Sequence, residues 1–231
     1  MNFQNDFEYR IKIVIIGPMA VGKSSLLKAL CDESFTTEHV STIGVDYGTI
    51  SLQKERKQYK FCLWDTSGNK SFLPITRSYF NGSVACLLVF DLNDPPTFQS
   101  AIEWYHKYRH KCPDNLVILI GSKVDKMYKT CSLYKNAPLT YGKVGEDSIR
   151  EFIEDYQLPY IEVSSLTGQN IGELKDLIIN DIDLKIQTGK LKPNETVGLS
   201  IHKMDKGFPK PYKHEPKKKK SKENIGCCTI S

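Results

Sequence analysis

A chain of 231 residues, 40% hydrophobic and 10% aromatic, suffices for one sizeable core plus an extension. No apolar run reaches the roughly 18 residues a membrane-spanning helix needs, and the N-terminal extension, residues 1–8, lacks the basic start and apolar centre of a secretory signal. The net charge of +5 is uneven, with 11 Lys against 4 acidic residues from Thr188 onward and 21 basic against 23 acidic residues before it; this argues against a nucleic-acid-binding face and for a basic arm near an anionic surface.

Taken in order, Ile11–Ile16 is an apolar run that reads as a buried parallel strand, and Ser25–Leu30 reads as the first turns of a helix. Between them stands Gly17-Pro18-Met19-Ala20-Val21-Gly22-Lys23-Ser24, which has the Gly-x-x-x-x-Gly-Lys-Ser spacing of a phosphate-binding loop. Two glycines let the backbone turn tightly enough for its N–H groups to face a polyphosphate, and the helix N-terminus adds its positive end. Lys23 supplies a mobile charge for the outer phosphates, and the Ser24 hydroxyl can ligate Mg²⁺. The bland alternative is a Gly-rich turn with a chance lysine; the flanking strand and helix weigh against it.

Asp32–Tyr47 is polar without a clear period and reads as an exposed loop feeding a strand, Tyr47–Leu52. After a charged turn, Tyr59–Trp64 returns as a strand ending in Asp65-Thr66-Ser67-Gly68. There Asp65 can hold Mg²⁺ through water, and the Gly68 N–H can approach a terminal phosphate. Asp-x-x-Gly alone is a common turn, so its weight comes from following a phosphate loop and a strand. Phe72–Phe80 reads as loop then short helix, and Val84–Asp91 as the plainest buried strand. Thr97 is the expected N-cap of a helix to about His110, with Phe98, Ile102 and Tyr105 facing the core.

Leu116–Gly121 is another buried strand, leading into Ser122-Lys123-Val124-Asp125, and Lys126–Glu146 reads as a long surface loop. A helix over Asp147–Tyr156, a last strand Tyr160–Val163, a turn Ser164-Ser165-Leu166-Thr167-Gly168 and a closing helix Ile171–Ile186 follow. Strands separated by helices predict an α/β fold, a mostly parallel six-stranded sheet with helices on both faces. Every motif falls at the carboxyl end of a strand, where such sheets bind ligands. The seven cysteines include no C-x-x-C pair, and Cys31, Cys62 and Cys86 read as reduced core residues.

With these residues in place, residues 9–187 resemble a small GTPase of the Ras superfamily, a P-loop NTPase with a Ras-like G domain, and within it a Rab. Five guanine-nucleotide elements have counterparts: Gly17–Ser24, Thr42, Asp65–Gly68, Ser122–Asp125 and Ser164-Ser165-Leu166. Ile43-Gly44-Val45-Asp46-Tyr47, Trp64–Gly68, Tyr79-Phe80-Asn81-Gly82 and Val89-Phe90-Asp91 are similar to Rab signature segments. The resemblance implies GTP or GDP held with Mg²⁺. The nucleotide would meet Gly17, Met19, Ala20, Val21, Gly22, Lys23, Ser24 and Ser25 in the loop, with Phe35 against the guanine. Ser24, Thr42 and Asp65 would serve the metal, Gly68 the outer phosphate, and Ser122, Lys123, Asp125, Ser164, Ser165 and Leu166 the base. Thr42 would also touch the γ-phosphate, so that its loop orders with GTP. Ile43, Tyr47, Trp64 and Tyr79 would face effectors, with plain inter-strand packing as the equal alternative for the three aromatics.

The departures from the family pattern carry as much weight. Asn69 stands where Gln usually follows Asp-x-x-Gly, one methylene shorter than the side chain that orients the attacking water. With Lys23 and Thr42 as the other catalytic candidates, the expectation is slow intrinsic hydrolysis. Met19 replaces a small residue and is expected to crowd the γ-phosphate or an incoming arginine. Ser122 replaces the usual Asn and is expected to be too short to reach the phosphate loop, so that Ser122→Asn would slow GDP release. These three changes support the runner-up reading, a pseudo-GTPase acting as a nucleotide-locked or nucleotide-weak binding module.

From Thr188 to Ser231 the chain is Lys-, Pro- and Gly-rich and is expected to be a disordered basic tail. It ends in Cys227-Cys228-Thr229-Ile230-Ser231, a C-a-a-X prenylation signal with a second cysteine, behind the run Lys217–Lys220. Lipid at Cys227 and Cys228 plus the lysines would hold the chain on the cytoplasmic face of endomembranes, otherwise leaving it in the cytosol. Implied partners are an exchange factor, a GTPase activator, a GDP-dissociation carrier and effectors, with no nucleic acid and a monomeric chain.

Overall fold

The computed structural model describes residues 7–35, 42, 44–55, 57–126, 143–193 and 198–203. Its strands are β1 (Phe7–Ile16), β2 (Val45–Lys54), β3 (Lys57–Thr66), β4 (Ala85–Asp91), β5 (Leu116–Ser122), β6 (Tyr160–Val163) and β7 (Leu199–Lys203). The helices are α1 (Lys23–Leu30), α2 (Leu73–Phe80), α3 (Pro95–Arg109), α4 (Glu146–Tyr156) and α5 (Ile171–Gln187). Strand order is β2-β3-β1-β4-β5-β6, with β2 antiparallel to β3 and the pairs from β3 through β6 parallel. β4 and β5 are buried at every position, which explains their continuously apolar sequences.

The sheet divides the core in two. Ile11, Ile13 and Ile15 of β1 pack with Leu26 and Leu30 of α1 and with Leu174, Ile178 and Ile182 of α5. Val14 and Ile16 point the other way, toward Phe98, Trp104 and Tyr105 of α3 and Phe152 of α4. The connection from β1 runs to one edge of the sheet while β4 lies on the other side, so the loops at the carboxyl end of β1 diverge and leave a crevice.

Three expectations change. The N-cap of α3 is Asp94, with Pro95 and Pro96 opening the helix. Prolines suit a first turn because their missing N–H groups would be unpaired there anyway. Thr97 sits one turn in, its hydroxyl donating to Asp94 O at 2.6 Å and accepting from Asp91 N at 3.0 Å. Among the described residues the sheet has seven strands, because β7 pairs antiparallel with the first half of β1, from Phe7↔Lys203 to Ile11↔Leu199. The tail is therefore not disordered throughout. Gly198-Leu199-Ser200-Ile201 alternates apolar and polar, and Leu199 is buried in the same core as Ile11 and Tyr59. A short period-2 run was masked by the surrounding lysines.

A buried charge ties α5 to the β2–β3 hairpin. Asp183 receives Lys57 Nζ at 2.7 Å, Tyr59 Oη at 2.5 Å and Gln187 Nε2 at 2.8 Å, with Lys54 Nζ at 3.2 Å. Its burial opposes ionisation, but these donors override it and hold the carboxyl down at about 2. Most of the expected loop 126–146, together with Cys227, Cys228 and the terminal lysines, lies outside the described residues. Among the described residues no helix is long and apolar enough to cross a membrane.

Candidate nucleotide site

The crevice is floored by the phosphate loop, and its shape is forced by packing. Gly17 has φ +143°, and a Cβ there would stand 2.2 Å from the Val89 carbonyl oxygen of β4, so the chain can leave β1 at this point only as glycine. Ala20 and Gly22 also have positive φ, which curls the loop back onto α1. Among the described residues no side chain caps the N-terminus of α1, leaving its first amides directed at the crevice. Val21 is fully buried, Ser25 half-buried and Met19 54% exposed. Met19 thus stands at the rim of the loop, on the side open to whatever approaches the site.

Lys23 is buried, and its Nζ donates to Pro18 O at 2.6 Å across the loop. Burial pulls its pKa down to about 8 against the opposing pull of Asp65. Beside it three oxygens converge: Ser24 Oγ is 2.5 Å from Asp65 Oδ2 and 2.9 Å from Thr42 Oγ1, and Thr42 Oγ1 is 3.5 Å from Asp65 Oδ2. The other carboxylate oxygen, Asp65 Oδ1, is buried and finds no hydrogen-bond partner among the described residues. Burial raises the Asp65 carboxyl to about 6, with Ser24 and Lys23 pulling the other way. An unpartnered buried oxygen next to two hydroxyls is a donor set that suits a hard divalent cation such as Mg²⁺.

The Asp-x-x-Gly turn lies directly over the loop: a Cβ on Gly68 would come within 2.5 Å of Met19 N. Asn69 follows it directly, and its amide serves the next turn. Its Oδ1 accepts the Ser71 N–H at 2.9 Å and caps the 3₁₀ turn Lys70–Phe72 that leads into α2.

On the base side, Lys123 has φ +63° and reaches across to donate to Ala20 O at 2.6 Å, while pairing with Asp91 Oδ2 at 2.8 Å. Asn93 Nδ2 donates to Lys123 O at 3.0 Å and to Asp91 Oδ1 at 3.1 Å. Burial would raise the Asp91 carboxyl, but Lys123 and the Asn93 donors outweigh it and keep it below the usual range. Asp91 and Asn93 position Lys123, and sequence reasoning missed both roles; the signal was an acidic residue closing an otherwise apolar strand. Asp125 Oδ1 accepts from the buried Ser164 hydroxyl at 2.5 Å, which joins the two base elements. Ser165 is half-buried, Leu166 is exposed, and Phe35 is half-buried beyond α1.

Ser122 corrects an expectation. Its hydroxyl lies 2.6 Å from Val21 O in the phosphate loop and 2.7 Å from Phe90 O. The serine does reach the loop, because β5 ends directly beneath it and the two backbones approach closely. Farther along the sheet, Tyr47 and Trp64 meet edge-on at 4.9 Å and Trp64 and Tyr79 at 5.2 Å. The three aromatics pack together, and Tyr47 still leaves 49% of itself exposed. Ile43 lies outside the described residues.

The Ras family model matches residues 12–184. The chain is 32% identical over 228 residues to "Ras-related protein Rab-11A" of Dictyostelium discoideum, covering 97% of each chain. It is 30% identical to "Ras-related protein RABE1e" of Arabidopsis thaliana, over 87% of this chain and 88% of that one. It is 32% identical to "Ras-related protein RABA2b" of the same plant, over 84% and 86%. With the phosphate loop, the Ser24–Thr42–Asp65 oxygens and Lys123 gathered at the carboxyl end of the sheet and these relatives along nearly its whole length, the chain belongs to the Ras family and is a Rab-type small GTPase.

Proposed function

We propose that this chain is a slowly hydrolysing guanine-nucleotide switch in vesicle trafficking, attached to the cytoplasmic face of endomembranes through its tail. The observation that carries the switch is the Ser24–Thr42–Asp65 oxygen cluster with the unpartnered Asp65 Oδ1. It links the phosphate loop, the segment before β2 and the end of β3 at one cation-sized point. Mg²⁺ bound there with a triphosphate supplies charge neutralisation at the outer phosphates. Lys23 adds a cationic charge, and its Pro18 O bond is one it exchanges for phosphate oxygens. Because Thr42 belongs to this cluster, its segment feels whether the outermost phosphate is present, and effectors read that difference.

Slow hydrolysis follows from Asn69. Besides being one methylene short of Gln, its amide oxygen is committed to the Ser71 N–H. Both effects leave the attacking water poorly held, and a misplacement of about 1 Å can cost on the order of a hundredfold in rate. Lipid at Cys227 and Cys228, helped by Lys217–Lys220, would anchor a monomeric chain that a carrier extracts when GDP is bound.

Equilibrium titration with GTP, GDP and ATP in the presence of Mg²⁺, combined with single-turnover hydrolysis, tests this reading. Tight guanine binding, distinct GTP and GDP states and slow turnover are expected. Weak or state-blind binding would instead identify a pseudo-GTPase binding module, and turnover at ordinary family rates would remove the slow-hydrolysis claim.

A further inference from the structure

β1 is longer than its neighbour β4 can cover. β3 pairs with it from Glu8 to Ile15, whereas β4 pairs with it from Ile13 to Ile16, so residues 7–11 have a notch beside them on the β4 side. β7 fills that notch, in register from Ile11↔Leu199 to Phe7↔Lys203, and Lys12 N–H donates to Gly198 O at 2.9 Å to extend the ladder. The entrance is narrow. Gly198 has φ +86°, and a Cβ there would overlap the Gly82 carbonyl oxygen in the turn between α2 and β4, so only glycine passes. Leu199, 2% exposed, then sits in the core with Ile11 and Tyr59.

The chain enters and leaves this strand at one pole of the sheet. α5 ends at Gln187, whose Nε2 donates to Asp183 Oδ2 at 2.8 Å, and Asp183 in turn accepts from Lys57, the first residue of β3. The end of α5 therefore lies at the pole remote from the phosphate loop. Lys203 is paired with Phe7, the first residue of β1, at that same pole. After α5, Leu191 is still seated, its N–H donating to Lys185 O at 2.9 Å and its side chain against the core that holds Leu199. By Gly198 the chain has travelled inward to the level of Lys12, and β7 brings it back out. This out-and-back path consumes chain without carrying the tail to a new place.

We propose that β7 is a releasable clasp that takes up slack in the membrane tether, giving the tail two working lengths. The inference rests on the lipid-anchor reading and deepens it. With the clasp closed, residues 204–226, 23 in all, separate Lys203 from Cys227, and their fully extended reach is ~80 Å. With it open, residues 192–226, 35 in all, separate Leu191 from Cys227, and the reach grows to ~120 Å. The hold on β7 is slight beside that on β4 and β5, which are buried at every position: it consists of five paired residues and the buried Leu199. Ordering the chain from Gly198 to Lys203 opposes those gains. The clasp thus belongs to the least stable part of the sheet and opens without unfolding the nucleotide domain. A closed clasp keeps the domain against the membrane. An open one lets it meet partners farther out and lowers its effective concentration at the surface.

The test uses the full-length prenylated protein, loaded with a non-hydrolysable GTP analogue and bound to vesicles of phosphatidylcholine and phosphatidylserine. A fluorescent donor is fused ahead of Met1, and the acceptor is carried on lipid headgroups. Leu199→Asp and Gly198→Val, which open the clasp, should each lower energy transfer by roughly half. Both should speed amide exchange across residues 7–11 at least about tenfold while leaving nucleotide affinity unchanged. Leu199→Asp combined with deletion of residues 204–215 removes as many residues as the open clasp releases, so transfer should return to the wild-type value. Damage to the fold would not be repaired by shortening the tail. Equal transfer from the wild type and both single variants would overturn the proposal. So would a shortened variant that fails to recover, or exchange of β7 between two copies, seen as a dimer in sedimentation. Failure of the anchor reading looks different: the protein then stays in solution when the vesicles are pelleted, and the tether proposal goes with it.

Discussion

The Ser122 hydroxyl stands between Val21 O and Phe90 O but has one proton to give, so it satisfies one carbonyl at a time. Removing it leaves a carbonyl in a buried slot unpaired, which costs about 1–3 kcal/mol. Ser122→Ala should therefore loosen the phosphate loop and speed GDP release roughly tenfold, read by the fluorescence decay of a labelled GDP in chase experiments. Ser122→Asn gains less than side-chain length suggests, because the loop contact already exists. At position 69 the opposite holds: Asn69→Gln restores reach and gives up a short cap. Single-turnover hydrolysis should rise by about tenfold to a hundredfold, and an unchanged rate would locate the slow step elsewhere. The identities of these residues were legible from spacing, but their reach was not. Whether a short side chain bridges two loops depends on how closely the loops approach, and no local pattern states that distance. Asp91 and Asn93 were missed for the same reason, since their target, Lys123, is about 30 residues away in the chain.

Among the elements, α5 is held by more than its apolar stripe. Asp183 is buried against Lys57, Lys54 and Tyr59, and its carboxyl is held down at about 2. A carboxylate with a depressed folded pKa contributes stability that is fully present above its unfolded value near 3.8 and is lost as pH falls through about 2. The shift corresponds to about 2 kcal/mol. Asp183→Asn should therefore destabilise the chain by about that amount at pH 7 in urea unfolding. The gap between the two proteins should narrow between about pH 4 and pH 2, and a gap that stays constant with pH would remove the ionic account. Periodicity found each strand on the β2–β6 path and the bounds of α4 and α5 to within a residue. It failed at α3, where the Pro95-Pro96 pair and not Thr97 sets the start, and at β7, where five residues inside a lysine-rich stretch held too little pattern to stand out.

For the whole molecule, the candidate nucleotide site draws on five separate chain segments that meet at the carboxyl end of the sheet. Chelating Mg²⁺ should consequently act on more than the metal site. Nucleotide release should accelerate and the thermal midpoint of the loaded protein should fall toward that of the nucleotide-free form, because ligand stabilisation follows affinity. A midpoint indifferent to chelation would argue against Ser24, Thr42 and Asp65 as the metal donors. Replacing Cys227 and Cys228 together with Ser should move the tagged protein from membranes to the soluble fraction while leaving nucleotide affinity unchanged.

Read without coordinates, the chain declares its class, its family and its candidate phosphate and metal residues, because phosphate and metal chemistry demands certain residue types at fixed short spacings that the covalent chain carries with it. Three things were decided only by the tertiary structure: that Ser122 bridges to the loop, that Asn69 is occupied as a cap, and that residues 199–203 join the sheet beside the aromatic face. Each depends on the separation of segments remote in sequence, which the packing of the two cores on the sheet sets.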